Sequence, residues 1–356
     1  MSTRIGFVIG QLSVGGAEGQ LCELLRHLNP RFTPNVYCLA DQAGRVAADV
    51  QRLGVVVHSV GSRGVQRSLR LGRMIREHGI DLVHSWLFIA NGYSAAATLL
   101  GRTRPLITSA RNCKVQGRAS QAVNSVAFRC SRAVVVNSRD VEEYIVHHYA
   151  APRARIHVIA NGIDTQRFCP AAPGSANGKA SLIVNVGRLV QQKNQALFLQ
   201  AAAQVAEVRP ETRFMIVGDG PLRGALQKQA AALGLSGRVE FAGERRDVEA
   251  ILRQATLFWL TSRWEGMPNA VLEALASGVP AIATDVGGTR EVIRDGVDGF
   301  IVAPEDGAAF VRHTLGLLGD AALQQRFATS ARERADTFGL KRMAESFERL
   351  YDSVLA

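Results

Sequence analysis

Two glutamates eight positions apart close the ends of the segment Glu265-Gly-Met-Pro-Asn-Ala-Val-Leu-Glu273. A Gly and a Pro break the chain between them, and an apolar run then opens like a helix. Proline at a first helical position is pre-set for the turn and forfeits no needed N–H. The free amides of a helix start face an anion well. The segment therefore offers amide donors for a phosphate, with a carboxylate on either side. A nucleotide diphosphate sugar has that layout: ribose hydroxyls, a diphosphate, then sugar hydroxyls. Eight helical residues span roughly 12 Å, about the distance from ribose to the sugar. An isolated pair of this spacing is more often two surface glutamates, so the rest of the chain has to decide.

Arg188 follows the apolar run Leu182–Gly187, and Lys193 opens the next helical stretch five residues later. Ligands sit at the carboxyl ends of parallel strands, and an Arg fork beside a Lys point charge suits a diphosphate. Two surface cations are the plain alternative. Gly15-Gly16 follows the first apolar run, where glycine lets backbone amides approach a phosphate or sugar. It is not a G-x-G-x-x-G dinucleotide fingerprint, and a tight turn explains it as well. Gly218-Asp-Gly220-Pro and Gly287-Gly288 carry the same ambiguity. There is no D-x-D pair, H-E-x-x-H, Cys/His cluster or G-x-S-x-G elbow, which disfavours metal-dependent sugar transfer and hydrolase chemistry.

Short apolar runs that read as strands must position these residues. Arg4–Gly10, Asn35–Leu39, Val55–Val60, Leu82–His84, Leu106–Ser109 and Ala133–Asn137 alternate with helical stretches such as Ala17–Leu28. Continuous β-branched runs suit strands buried on both faces of a parallel sheet. The Pro/Gly/Ser-rich stretch 171–179 reads as a linker. Beyond it the alternation restarts at Leu182–Gly187, Arg213–Val217, Val239–Phe241, Thr256–Leu260 and Ala281–Ala283, with a helix over Asn269–Ala276. The expectation is α/β: two Rossmann-like doubly wound domains, 1–170 and 178–339, facing a central cleft. The final helix, Leu340–Leu355, can pack on either.

The chain has 356 residues, 47% of them hydrophobic and 21% charged, which fits a soluble globular protein. No apolar window reaches the length of a membrane span, and the N-terminus reads as a strand, not a signal peptide. Five scattered cysteines without a C-x-x-C pair indicate neither zinc nor a disulfide framework. Residues 1–170 hold 21 Lys and Arg against 10 Asp and Glu, whereas 171–356 hold 21 against 21. No acid lies between Asp81 and Asp140, a gap that contains Arg102, Arg104, Arg111, Lys114, Arg118, Arg129, Arg132 and Arg139. Arg63, Arg67, Arg70, Arg73 and Arg76 precede it at helical spacing. A solvated face or an anionic partner accounts for such a run. With no nucleic-acid motif beside it, a membrane surface or a phosphorylated acceptor is the better partner.

Taken together, Gln11–Glu18, Val158–Asp164, Val186–Lys193, Ile216–Pro221, Glu265–Glu273 and Asp285–Gly288 with Glu291 resemble the blocks of one family. The chain resembles the retaining glycosyltransferases of the GT-B fold, family 4 (glycosyl transferases group 1), over nearly its whole length. The resemblance implies that Glu273 binds the ribose hydroxyls and Glu265 the hydroxyls of the transferred sugar. It places Arg188 and Lys193 on the diphosphate, and the amides of Gly266, Met267 and Asn269 around the distal phosphate or sugar. Gly15 and Gly16 close the donor site from the first domain. It also implies retention of configuration, a donor phosphate oxygen taking the acceptor's proton, and neither metal nor cofactor. Many members carry a His near the reacting sugar. The matching stretch here, Ile107–Asn112, puts Arg111 at or near that place, and an Arg cannot serve as a base. His84 is the nearest substitute, though a lone His there is more often structural.

The expectation is a cytoplasmic enzyme, peripheral on the inner membrane face, that moves a sugar from a UDP- or GDP-sugar to an anionic or lipid-linked glycan, with no nucleic acid involved. A UDP-amino-sugar epimerase of similar fold and a non-catalytic nucleotide-sugar-binding subunit are the alternatives.

Overall fold

The computed structural model describes residues 2–13, 15–40, 44–101, 105–113, 116–172 and 180–356. The chain divides into two compact units, Met1–Gly162 with Leu340–Ala356, and Ile163–Gly339.

The first unit is built on seven parallel strands: β1 (Thr3–Ile9), β2 (Phe32–Cys38), β3 (Val56–Ser59), β4 (Leu82–Ser85), β5 (Leu106–Ala110), β6 (Ala133–Val136) and β7 (Ile156–Val158). Their order is β3-β2-β1-β4-β5-β6-β7, so the winding reverses between β1 and β4. Ile5, Phe7, Ile9, Leu82, Ile107 and Val135 are buried, as central strands covered on both faces require. The final helix, Leu340–Leu355, packs back on this unit. It buries Leu340, Met343, Phe347, Leu350 and Tyr351 in the same core as Leu21, Leu24 and Leu25 of helix Gly16–His27. The three-to-four-residue spacing of those side chains makes one apolar stripe, and each large one contributes about 2 kcal/mol by leaving water.

The second unit holds six parallel strands: β8 (Leu182–Val186), β9 (Arg213–Val217), β10 (Val239–Gly243), β11 (Leu257–Leu260), β12 (Ala281–Thr284) and β13 (Gly299–Val302). Their order is β10-β9-β8-β11-β12-β13, with the reversal between β8 and β11. Phe198, Phe214, Trp259 and Phe310 meet in its core, and the Trp259 indole N–H donates to Thr314 Oγ1 at 3.0 Å.

Two edge strands, β7 and β13, are absent from the sequence reading. β7 is three residues long with His157 at its centre, and β13 begins on a glycine, so neither shows the β-branched run that marks the central strands. The expected first-domain boundary at 170 also shifts. Asp164–Pro170 belong to the second unit, because Arg167 pairs with Glu249 at 2.9 Å and Arg332 donates to the carbonyls of Thr165 and Phe168. Most of the expected linker, 173–179, lies outside the described residues, as do Arg102, Arg104 and Lys114.

Candidate active site

The second sheet reverses between β8 and β11, and the loops leaving those two strands carry Arg188, Lys193 and Glu265. In an open parallel sheet the carboxyl ends beside such a reversal form the natural crevice for a ligand. The two loops are laced together. The Arg263 amide donates to the Gln192 carbonyl at 2.8 Å, Gln192 Nε2 to the Trp264 carbonyl at 3.0 Å, and Thr261 Oγ1 to the Lys193 carbonyl at 3.0 Å.

This lacing brings Lys193 Nζ to 2.6 Å from Glu265 Oε1. Ser262 Oγ donates to the same oxygen at 2.7 Å, and Glu265 is only 6% exposed. A buried carboxylate needs such compensation. Both donors fall on Oε1, leaving the second oxygen without a partner among the described residues. Arg188 is exposed, and its guanidinium has no partner among the described residues.

Glu273 lies in the eight-residue helix Asn269–Ala276. It is half-buried, and its carboxylate accepts no hydrogen bond from the described residues. Burial pushes its pKa up to about 7; Arg167 and Lys193 oppose that and Glu249 adds to it. The sequence reading errs on the span between the glutamates. The helix begins at Asn269 with Pro268 as its N-cap, so Gly266, Met267 and Pro268 form a loop. Pro268 therefore stands one place before the first helical position expected of it. Met267 is buried at 5% exposure.

The two ambiguous glycine pairs resolve as packing devices. A Cβ on Gly218 would meet the Gly187 carbonyl oxygen at 2.1 Å, and one on Gly220 the Leu189 oxygen at 2.5 Å. A Cβ on Gly287 would sit 2.6 Å from the carbonyl oxygens of Glu265 and Gly266, and the Gly288 amide donates to Gly266. In each case a neighbouring loop presses against the backbone that carries a site residue, an approach only glycine allows. Ser262, Thr261 and Gln192 escape the sequence reading because nothing in a Thr-Ser pair or a Gln marks which loop lies beside it.

The remaining candidates lie in the first unit. Gly15 caps helix Gly16–His27 just after β1, at that sheet's own reversal. A Cβ there would strike the Glu18 carboxylate at 2.3 Å. His84, in β4, is fully buried. Its Nδ1 bonds to Tyr351 Oη at 2.9 Å and its Nε2 to Ser109 Oγ at 2.8 Å. Burial, and then the charge of Arg111, hold its pKa well below the usual histidine range. With both nitrogens committed, His84 is a neutral structural residue and offers nothing to a sugar. Arg111 follows β5 and stacks on the Trp86 ring at 3.8 Å. Among the described residues no group of three or more His, Cys, Asp or Glu could hold a metal ion.

Comparison with known proteins agrees with this architecture. A family model described as Glycosyltransferase Family 4 matches residues 14–167, and one described as Glycosyl transferases group 1 matches 172–334. An Escherichia coli UDP-Gal:alpha-D-GlcNAc-diphosphoundecaprenol alpha-1,3-galactosyltransferase is 30% identical over 63% of this chain and 61% of its own length. The chain thus spans about three fifths of that relative. A Campylobacter jejuni alpha-1,4-N-acetyl-D-galactosaminyltransferase, named for an undecaprenol-diphosphate-linked substrate, is 25% identical over 99% of both chains. The crystal structure of Anabaena HepE with UDP and glucose superposes with a TM-score of 0.88 at 21% identity, covering 99% of this chain and all of that one. With one model on each half and the two parallel sheets of that fold, the chain belongs to the GT-B glycosyltransferases.

Proposed function

We propose that the chain is a retaining, metal-independent glycosyltransferase that moves a sugar from a UDP- or GDP-linked donor to an anionic or lipid-linked saccharide acceptor, in the manner of cell-surface polysaccharide or lipopolysaccharide synthesis. The observation that carries the reading is the set beside the β8/β11 reversal: the Lys193–Glu265 pair, with an Arg188 guanidinium and a Glu273 carboxylate that take no hydrogen bond from the described residues. Glu273 accepts from the ribose hydroxyls. Arg188 and Lys193 hold the diphosphate and stabilise the charge that grows on it as the glycosidic bond breaks, the electrostatic role of an oxyanion hole. The second oxygen of Glu265 takes a sugar hydroxyl, and the amides around Gly266, Met267 and Asn269 face the distal phosphate. No protein carboxylate is assigned as nucleophile or base; a donor phosphate oxygen takes the acceptor's proton.

UDP is the nucleotide favoured by the solved relatives, since HepE was crystallised with UDP-glucose as well as with UDP and glucose. The undecaprenol-diphosphate substrates named for two relatives favour a lipid-linked acceptor. The excess of cations in residues 1–170 favours an anionic one at a membrane surface, although no described helix is long and apolar enough to cross a membrane. The test is donor binding: a panel of UDP-glucose, UDP-galactose and GDP-mannose, in which a specific donor raises the melting temperature by mass action. Arg188→Ala should lower transfer on the order of 100-fold or more with the melting temperature unchanged. Wild-type turnover in that variant would overturn the site assignment.

A further inference from the structure

We propose that Arg111 is the receptor for an oxyanion on the acceptor, gripped edge-on by Nε and Nη2, with the Asn137 amide beside it for a neighbouring hydroxyl. Arg111 is the first residue after β5 and is 6% exposed. Its Nη1 donates to Asn161 Oδ1 at 3.0 Å, and its plane is held against the Trp86 ring. Nε and Nη2 are buried and have no hydrogen-bond partner among the described residues. These two nitrogens share one edge of the guanidinium, and that edge matches the two oxygens of a carboxylate or phosphate. The stack and the Asn161 bond prevent the fork from turning elsewhere.

A guanidinium buried without a counter-charge is costly. Here that cost shows as a pKa drawn down by burial to about 9, with Tyr351 opposing the shift. A purely structural arginine in this chain looks different: Arg332 spends one nitrogen on three carbonyls, of Thr165, Phe168 and Ala276. His84 beside Arg111 adds no charge, being held neutral between Tyr351 and Ser109.

A second orphan lies on the next strand. Ala110 pairs with Val136, so Arg111 and Asn137 are the first residues beyond β5 and β6, on strands about 5 Å apart. The Asn137 side-chain oxygen is buried and also lacks a hydrogen-bond partner among the described residues. Ser138, the next residue, caps helix Arg139–Tyr149, whose first turn already carries Asp140 and Glu142, so the charge that attracts an anion here is that of Arg111. An oxyanion with an adjacent hydroxyl satisfies the fork and the amide together. A sugar acid carries that pair of groups, and so does a phosphorylated sugar. Calling the anion part of the acceptor rests on the glycosyl-transfer reading; the binding itself does not.

The full chain is titrated with methyl glucuronide, inorganic phosphate and neutral methyl glucoside at matched ionic strength, by calorimetry and thermal shift, with UDP-glucose binding measured in parallel. At least one anion should bind the wild type and the neutral glucoside should not, with Arg111→Lys at least tenfold weaker and unchanged for UDP-glucose. Arg111→Met should lose the anion response while its melting temperature holds or rises, because an uncompensated buried charge is gone. A response to glucuronide alone identifies a sugar acid, and one to phosphate alone a phosphorylated acceptor. Equal anion binding by wild type and Arg111→Lys would overturn the proposal. So would a wild type that binds UDP-glucose but no anion beyond chloride. A wild type that binds anion through Arg111 but no nucleotide sugar would uphold the receptor and remove the donor reading instead.

Discussion

Glu265 and Glu273 carry the same functional group in opposite settings. Glu265 is nearly enclosed, with Lys193 and Ser262 on one oxygen. Glu273 is half-buried with no hydrogen-bond donor among the described residues, and its pKa rises to about 7. A carboxyl raised above its unfolded value of 4.5 keeps its proton longer in the folded chain. It costs the fold nothing below pH 4.5, and the penalty grows until pH 7, reaching at most about 3 kcal/mol. Glu273→Gln should therefore be more stable than wild type at pH 8 and equal to it at pH 4, as denaturant titrations at the two pH values would show. Ribose hydroxyls that donate to this carboxylate favour its ionised form. UDP-glucose binding at pH 6.5 should then release a fraction of a proton, detectable by calorimetry in buffers of different ionisation enthalpy and absent in Glu273→Gln. Proton release of equal size in the variant would place the ribose elsewhere. Lys193 differs from Arg188 in the same way. Removing it strands Glu265, so Lys193→Ala should lose stability on the order of 2 kcal/mol, whereas Arg188→Ala should lose transfer alone.

The site depends on loops that touch at glycine. Gly287, at φ +52°, lies under the Glu265 and Gly266 carbonyls, so Gly287→Ala adds a backbone clash to the usual positive-φ strain of about 1–2 kcal/mol. Gly234, at φ +69° with nothing within 4 Å, is its control. Gly234→Ala should cost about 1 kcal/mol and leave kinetics alone, while Gly287→Ala should cost at least about 2 kcal/mol and raise KM for the donor. Matching losses in stability and in KM would mean the contact does not position Glu265. This is also where legibility in the sequence runs out. The central strands could be read because burial on both faces demands unbroken apolar runs, and Asn269–Ala276 and Leu340–Leu355 could be read from helical periodicity. Lys193 and Glu265 stand 72 residues apart, and their pairing follows from β8 lying beside β11, which no local pattern encodes. Gly218 and Gly287 stayed ambiguous because a tight turn, a ligand contact and a loop contact all call for the same residue. The burial of Arg111 depends on the final helix, whose Phe347 lies beside its guanidinium at 5.9 Å. Two domains were equally open to that helix in the sequence.

At the scale of the whole chain the excess charge is confined to residues 1–170, and the first unit gives it a surface. On helix Gly64–Glu77, Arg63 as its N-cap together with Arg70, Arg73 and Arg76 are exposed. Arg67, from the same sequence stripe, turns inward to the carbonyls of Gly61 and Ser62. Between the exposed arginines stand Val65 at 71% exposure and Leu69 at 53%. Helices Phe88–Leu100 and Arg118–Cys130 of the same unit add exposed Ile89, Leu99, Val123 and Val126. Arg73 has a partner in Glu77 only at 3.8 Å, a surface pair worth little against solvent. Apolar side chains ringed by exposed cations suit an anionic bilayer, where each Lys or Arg near the surface adds about 1 kcal/mol. The chain should therefore sediment with vesicles containing phosphatidylglycerol and remain in solution with phosphatidylcholine alone. Raising salt from 0.1 to 0.5 M shortens the Debye length to about half and should release most of it. Arg70→Glu with Arg73→Glu removes two attractions and adds two repulsions. Vesicle affinity should fall more than tenfold, with UDP-glucose binding, which we assign to the second unit, unchanged. If the double variant bound anionic vesicles as wild type does, the charge of this helix would have no part in bringing the enzyme to a lipid-linked acceptor.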